Sequence, residues 1–118
     1  MKAQEFTTVP ADQILAYVKR IQGDGHFHMD KLITRHPAWR LTTIPVSKLK
    51  VNPDPDQKNP LGTNINVDLD YVNDITGQDI ARRPIVVDST GWIIDGNHRA
   101  TRAQQLGMTA IPAYIPAK

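Results

Sequence analysis

The segment IIDGNHRATRA, residues 93–103, joins a short apolar run to a sequence with helical spacing. Gly96 stands between the two, and alanines then recur at the interval of one helical turn. A glycine at such a junction can adopt a positive φ or let another group approach closely. We therefore predict a buried strand, a tight turn and a helix over about residues 97–106.

The sequence around this segment predicts further short strands. Residues 84–87 and 92–94 are apolar runs separated by a turn at residues 89–91, which is typical of a hairpin. A final strand is expected over residues 110–115 and an earlier one over residues 39–44. The order of strand, turn, strand, loop, helix and strand predicts a mixed α+β fold.

Helices are also predicted ahead of this core, and we assign residues 1–38 as an N-terminal helical extension and residues 39–118 as the main domain. The first helix is expected to have Thr8 as its N-cap and Pro10 in its first turn, because both residue types favour those positions. A second, shorter helix is expected over residues 29–35 and stops before the next proline. These two helices are expected to cap the main domain.

The middle of the chain predicts a loop followed by one helix. Residues 51–66 contain three prolines, one glycine and four asparagines, a composition that fits neither a helix nor a central strand. Asp68 is the expected N-cap of a helix whose apolar stripe continues to Ile75 and which Gly77 closes.

The composition of the 118 residues excludes several classes of protein. The chain has no cysteine, which rules out a disulfide scaffold, a cysteine-ligated zinc or iron–sulfur site and a thiol nucleophile. No apolar run approaches the roughly 18 residues of a membrane span. The N-terminus lacks the apolar region of a signal peptide. We therefore expect a cytoplasmic protein with no membrane association.

The charge is small in total but unevenly distributed. The formal net charge is +2. Residues 1–81 have nine basic and ten acidic side chains, whereas residues 82–118 have five basic and two acidic ones. Four of those five cations are arginines, whose planar guanidinium groups suit phosphate recognition. The excess of positive charge lies in the C-terminal third, and an anion site is therefore expected there.

The turn at Gly96 is the candidate anion site. The N–H groups in the first turn of a helix lack intrahelical partners and lie at the positive end of the helix dipole, so they attract phosphate. The predicted phosphate- or nucleotide-binding residues are Gly96, Asn97, His98, Arg99 and Arg102. The alternative is ordinary turn chemistry with solvated arginines, and the segment matches neither the P-loop nor the dinucleotide-binding fingerprint.

Asp95 and His98 are the candidate catalytic residues. Asp95 ends the strand beside His98, where its carboxylate would position Mg²⁺ or accept a hydroxyl proton. An equal alternative is that Asp95 only holds the turn or caps the helix. A nuclease needs two carboxylates around its metal, and the candidate partners of Asp95 are the distant Asp79 and Asp88.

No protein metal site is assigned. The spacing of His26, His28 and Asp30 places their side chains on one face only in an extended strand. Gly23 and Gly25 predict a loop at this place instead. We therefore do not expect these residues to bind a metal ion.

The chain from Ile44 to Ile115 resembles the ParB/sulfiredoxin superfamily, the group of ParB-like nuclease-type domains. The resemblance rests on IPVSKLKVNP at residues 44–53 and on the segment 83–115, which has an apolar strand, DGNHR, RA, LG and IPAYI in that order. It implies a ParB/sulfiredoxin-like α+β fold, a small mixed sheet with flanking helices.

The resemblance also implies roles for residues of the turn. Where ParB proteins hold CTP phosphates with GERRxRA, this chain has the glycine, Arg99 and Arg102, with Asn97 in place of the acidic residue. Where sulfiredoxins have GCHR, His98 and Arg99 match but Asn97 replaces the catalytic cysteine, so reduction of a sulfinic acid is excluded. Free-serine kinases of this fold have a DGHHR-like segment that residues 95–99 approach, which keeps phosphoryl transfer open.

Together these features predict a ParB-like domain that binds a nucleotide or nucleic-acid phosphate at the DGNHR turn. NTP hydrolysis or phosphoryl transfer is a candidate activity, with Mg²⁺ bound together with the nucleotide as the candidate cofactor. One alternative is a DNA-binding or ParB-like nuclease accessory protein of a phage or plasmid. The other is a non-catalytic module that binds a protein partner.

Overall fold

The computed structural model describes residues 8–22, 28–49 and 69–117. Within these ranges the chain forms five β-strands, five α-helices and a short 3₁₀ helix. They follow in the order β1 (Thr8–Pro10), α1 (Ala11–Gln22), α2 (His28–Thr34), β2 (Ala38–Pro45), the 3₁₀ helix (Val46–Lys48), α3 (Leu69–Asp74), α4 (Gly77–Arg82), β3 (Ile85–Val87), β4 (Ile93–Asp95), α5 (Asn97–Gln105) and β5 (Ala110–Pro116). The predicted mixed α+β class is confirmed.

The strands of the described ranges form a mixed sheet in the order β1-β2-β5-β3-β4. β3 and β4 pair antiparallel, with Val86 opposite Asp95, so the predicted hairpin is confirmed. β3 pairs parallel with β5, and the other neighbouring strands pair antiparallel. Because β4 runs back along β3, α5 begins beside the amino end of β3, whereas the hairpin turn lies at its carboxyl end.

Helices cover both faces of this sheet. Consecutive residues of a strand point to opposite faces, and Val86 accordingly belongs to a different hydrophobic cluster from its neighbours Ile85 and Val87. One cluster, toward α4 and α5, contains Val46, Leu49, Ile75, Ile80, Ile85, Val87, Ile93, Ala100, Ala103, Ile111 and Ala113. The other, toward α1 and α2, contains Ala11, Ile14, Val18, Ile33, Trp39, Val86 and Ile94.

The start of the first helix differs from the prediction. Thr8 does not cap a helix: residues 8–10 form the edge strand β1, with Thr8 opposite Arg40. α1 begins only at Ala11, whose N–H donates to the Pro37 carbonyl at 3.1 Å. Capping preferences depend only on neighbouring residues, so they do not predict pairing with a strand some 30 residues away. The described part of the predicted N-terminal extension therefore contributes a strand to the same sheet, and its second helix is confirmed within one residue.

The helix expected to end at Gly77 is two helices, because Gly77 begins α4 instead of closing α3. Thr76 and Asp79 form a capping box, in which the Asp79 N–H donates to Thr76 Oγ1 at 3.1 Å and the Thr76 N–H donates to Asp79 Oδ2 at 3.0 Å. These hydrogen bonds from Thr76 hold the pKa of Asp79 below its ordinary value. In the sequence, the spacing Thr-x-x-Asp at residues 76–79 indicates this capping box and the start of a second helix.

Three predictions lie outside the described residues. They are the loop at Gly23 and Gly25, the loop over residues 51–66 and the N-cap at Asp68. Over the described ranges 8–22, 28–49 and 69–117, no helix has both the length and the apolar character needed to cross a bilayer.

Candidate functional site

Gly96 makes the turn between β4 and α5 in a left-handed conformation, with φ +109° and ψ 22°. A Cβ added at this position would lie 2.8 Å from the Ile85 Cβ and 3.1 Å from Nη2 of Arg99, and it would clash still more severely with the Ile85 Cγ2. Both the backbone angle and the packing therefore require glycine. The turn is held tightly against the beginning of β3.

The first turn of α5 follows directly from this glycine. The Ala100 N–H donates to the Gly96 carbonyl at 2.9 Å, which is the first bond of the helical ladder. The N–H groups of residues 97–99 precede that ladder, at the positive end of the helix dipole. The Asn97 side chain is buried, and His98 is half-buried.

Arg99 does not extend into solvent. Its side chain is buried, and its Nη2 lies 2.9 Å from Asp95 Oδ2. Its Nη1 donates to the Pro84 carbonyl at 3.2 Å and also to the Arg83 carbonyl. The guanidinium thus connects the end of β4 to the beginning of β3, and the structure joins two predicted site residues to each other.

Asp95 is 2% exposed, and its carboxylate at the end of β4 faces the guanidinium of Arg99, which lies four residues later in the chain. A buried carboxylate requires such a partner, because the charge would otherwise be very costly outside water. The arrangement keeps Asp95 and Arg99 as a mutually neutralising pair beneath the Gly96 turn.

The other carboxylates considered for a metal each hold a local turn. Oδ1 of the buried Asp88 accepts from the Thr90 N–H at 2.9 Å, the Thr90 hydroxyl at 2.7 Å and the Trp92 N–H at 3.1 Å. Asp79 is in the capping box of α4. Among the described side chains no group of three or more His, Asp or Glu converges. Asp79, Asp88 and Asp95 are therefore each bound to partners within the chain, and we derive no chemical step through a metal ion.

Arg102 lies apart from the Gly96 turn. Its Nε donates to the Ile75 carbonyl at 2.9 Å and its Nη1 to Gln105 Oε1 at 3.0 Å. The bond to Ile75 joins α5 to the residue that follows α3, whereas the bond to Gln105 lies within α5. The structure therefore does not bring Arg102 together with Arg99.

Arg82 and Arg83 are exposed arginines at the end of α4. Their charges contribute to lowering the pKa of Asp79. The Arg83 carbonyl accepts from the Arg99 guanidinium in the first turn of α5. The backbone of Arg83 is therefore adjacent to the start of α5.

Tyr17 is a site residue that no pattern in the sequence indicates. It lies in α1, and its hydroxyl donates to the Pro84 carbonyl at 2.6 Å and accepts from Arg99 Nη1 at 3.4 Å. Burial raises the pKa of Tyr17 above its ordinary value, while the nearby Arg99 acts in the opposite direction. The N-terminal helix is thereby connected to the centre of the site.

Replacing Tyr17 by phenylalanine should lower the free energy of unfolding by about 1 kcal/mol at pH 7, the usual net value of one hydrogen bond. The loss is modest because Arg99 remains a donor to the Pro84 carbonyl. Since the folded-state pKa of Tyr17 is raised, its protonated form stabilises the fold below the unfolded pKa, and this contribution is lost as the pH rises through the folded value. Urea unfolding from pH 8 to 11 should show the difference between wild type and Tyr17→Phe shrinking above about pH 10. Parallel stability curves over that range would contradict the burial of this hydroxyl.

Comparisons with known proteins identify no family for the chain. No family model matches it, and no curated protein matches it. It is similar to a solved structure of a Pnob8-like ParB-N domain, with 15% identity and a TM-score of 0.47. The match covers 65% of this chain and 29% of that one, so it spans less than a third of the ParB-N chain. Similarity at this level does not assign a function.

Proposed function

We propose that the chain binds the phosphate of a nucleotide or nucleic acid at the β4–α5 turn. The observation that carries the proposal is the left-handed Gly96, which leads a buried strand straight into α5. This geometry brings the first turn of α5 to the end of the sheet, next to the backbone of Arg83, whose side chain is exposed. Backbone N–H groups at the positive end of a dipole, with a nearby guanidinium, are suited to bind phosphate.

In this proposal the site residues have different roles. The backbone of Gly96 and Asn97 approaches the phosphate, and the His98 imidazole donates a hydrogen bond to it. Arg83 supplies the charge at the surface. Arg99 is a positioning residue, since its guanidinium already binds Asp95 and the chain's own carbonyl groups.

Binding without turnover is the function that this geometry favours. Asp95, the carboxylate considered for catalysis, is buried and paired with Arg99, so activation of a nucleophile would require that ion pair to open. His98 remains the candidate for transferring a proton in a nucleotide hydrolase. We therefore place phosphate binding ahead of NTP hydrolysis and phosphoryl transfer.

The test is a thermal-shift and calorimetric screen of nucleoside mono-, di- and triphosphates, each with Mg²⁺ and with EDTA. We expect at least one nucleotide to raise the melting temperature. The double variant Arg83→Ala/His98→Ala should bind it at least about tenfold more weakly, because hydrogen bonds involving a charged group contribute about 1.5–3 kcal/mol. The matched control is Arg35→Ala, an exposed arginine after α2, which should bind as wild type does. The absence of any shift at millimolar nucleotide would reject nucleotide binding.

A DNA arm of the same experiment separates the alternatives. A nucleic-acid-binding protein should retain a short duplex with an affinity that falls steeply with salt, because binding releases counterions from the phosphates. A protein-interaction module should bind neither nucleotide nor duplex. Arg99→Ala is unsuitable as the discriminating variant, because removing its buried charge would impair folding.

A further inference from the structure

A second concave region lies at the opposite end of the β3–β4 hairpin. It is a cleft of about 710 Å³ that runs along β2 and is bordered by the end of β5, the hairpin turn and the 3₁₀ helix, and we call it the hairpin cleft. In the β3–β4 ladder Val86 is opposite Asp95 and Val87 is opposite Ile93, so the turn that borders the cleft and the Gly96 turn lie at different ends of β3. The cleft is therefore separate from the proposed phosphate site.

The floor of the hairpin cleft is apolar. Val87, Ile44 and Ile115 line it, and all three pack on the sheet face that carries the larger hydrophobic cluster. Val87 is buried, but Ile44 and Ile115 are only partly covered by the chain. This corner of the sheet therefore offers apolar surface that an apolar group could cover.

Two cations line the same cleft. Arg40 lies on β2 opposite Ile115, and Lys48 ends the 3₁₀ helix that follows β2. Within the part of the chain that the structure describes, neither side chain has a hydrogen bond or an ion pair. Arg40 is half-buried, so its charge is less screened by water than that of a fully exposed arginine.

The cleft also contains a buried acidic residue. Asp88 is 7% exposed, and its Oδ1 accepts hydrogen bonds from Thr90 and from the Trp92 N–H. Among the described residues no ion pair joins Asp88 to Arg40 or Lys48. Ser89, which also lines the cleft, is exposed.

We propose that the hairpin cleft binds a small amphipathic organic anion, with its carboxylate between Arg40 and Lys48 and its apolar body on the aliphatic floor. Ligand pockets typically have volumes of about 300–1,000 Å³, apolar walls and a few polar groups that orient the ligand. The cleft has this size and this composition, together with two cations that form no ion pair with the described residues. An uncharged ligand of the same shape would not use those cations.

The test uses 4-phenylbutyrate as the probe and 4-phenylbutan-1-ol as its uncharged match, each titrated into the full chain and followed by ¹H–¹⁵N NMR. We expect 4-phenylbutyrate to shift the amide signals of residues 89–91 and Ala117. The alcohol should bind at least about tenfold more weakly, since charge-assisted hydrogen bonds are about twice as strong as neutral ones.

Charge-removing variants identify the cations that bind the probe. Arg40→Gln/Lys48→Gln should weaken 4-phenylbutyrate binding at least tenfold. Lys48→Gln alone should weaken it about threefold, and because Lys48 is exposed this variant keeps the fold intact. The matched control Lys31→Gln/Arg35→Gln removes one lysine and one arginine from exposed positions of the chain outside the cleft, and it should bind as wild type does.

The outcome also separates this proposal from the phosphate site. Arg83→Ala/His98→Ala should leave 4-phenylbutyrate binding unchanged, whatever the nucleotide screen shows. Equal affinity for the acid and the alcohol, no weakening in Lys48→Gln, no binding at all, or amide shifts centred on residues 97–99 would each overturn the assignment of an anion site to the hairpin cleft.

Discussion

Replacing Gly96 by alanine is expected to lower the free energy of unfolding by about 3 kcal/mol or more, since a left-handed L-residue costs about 1–2 kcal/mol and overpacking about 1–3 kcal/mol. The new methyl group would lie 2.8 Å from the Ile85 Cβ, and Ile85 is fully buried in the sheet, with no room to withdraw. The midpoint and slope of urea unfolding provide the measurement.

Two other glycines separate the causes of this loss. Gly107 also has a positive φ, +71°, but a Cβ there would meet nothing within 4 Å, so Gly107→Ala should cost only about 1–2 kcal/mol. Gly77 lies in α4 with open space around it, and Gly77→Ala should leave stability unchanged or raise it by about 0.5–1 kcal/mol. A Gly96→Ala variant as stable as Gly77→Ala would disprove the close approach of the turn to β3.

Arg99→Met is expected to lower the free energy of unfolding by about 3–5 kcal/mol, because breaking a buried ion pair from one side leaves an uncompensated charge. The methionine retains much of the volume but leaves Asp95 without its guanidinium partner at 2.9 Å. It also removes a donor to the carbonyl groups of residues 83 and 84. Urea unfolding at pH 7 is the measurement.

Two variants make this result specific. Arg82→Met removes a neighbouring but exposed arginine and should change stability by no more than about 0.5 kcal/mol. Asp95→Asn combined with Arg99→Met removes the orphaned charge and should recover part of the loss, as expected for coupled residues. A loss below 1 kcal/mol for Arg99→Met would indicate that the guanidinium faces solvent, where it could contact phosphate directly.

Most of the regular elements follow from local patterns. The hairpin of β3 and β4 and helix α5 agree with short apolar runs separated by turn residues and with a helical recurrence of alanines. Strand β1 could not be predicted in this way, because three residues become a strand only when β2 is present to pair with them. The Thr76 capping box predicts the start of helix α4. The glycine at the next position is more typical of a helix end, and it led to the prediction of a single helix.

The candidate site likewise combines features that depend on local sequence with features that depend on the tertiary structure. The Gly96 turn and the first turn of α5 were recognisable because their requirements are local, namely backbone freedom at the glycine and the residue pattern of a helix start. The roles of Arg99 and Asp95 could not be predicted, because a guanidinium and a carboxylate can each bind a ligand or form an ion pair with each other. Their choice of partner depends on burial, and burial depends on the remaining sheet and helices.

The amino-acid sequence alone determined the order of β2, β3, β4, α5 and β5, the position of the Gly96 turn and the absence of thiol chemistry, because these depend on residue type and short-range spacing. Only the tertiary structure decided that Arg99 pairs with Asp95, that Tyr17 crosses from α1 to the site, and that Arg40 and Lys48 line one cleft. The physical reason is that electrostatic and packing partners are chosen by proximity in the fold. Tyr17 and Arg99 are 82 positions apart, and they come into contact only after β3, β4 and α1 have assembled.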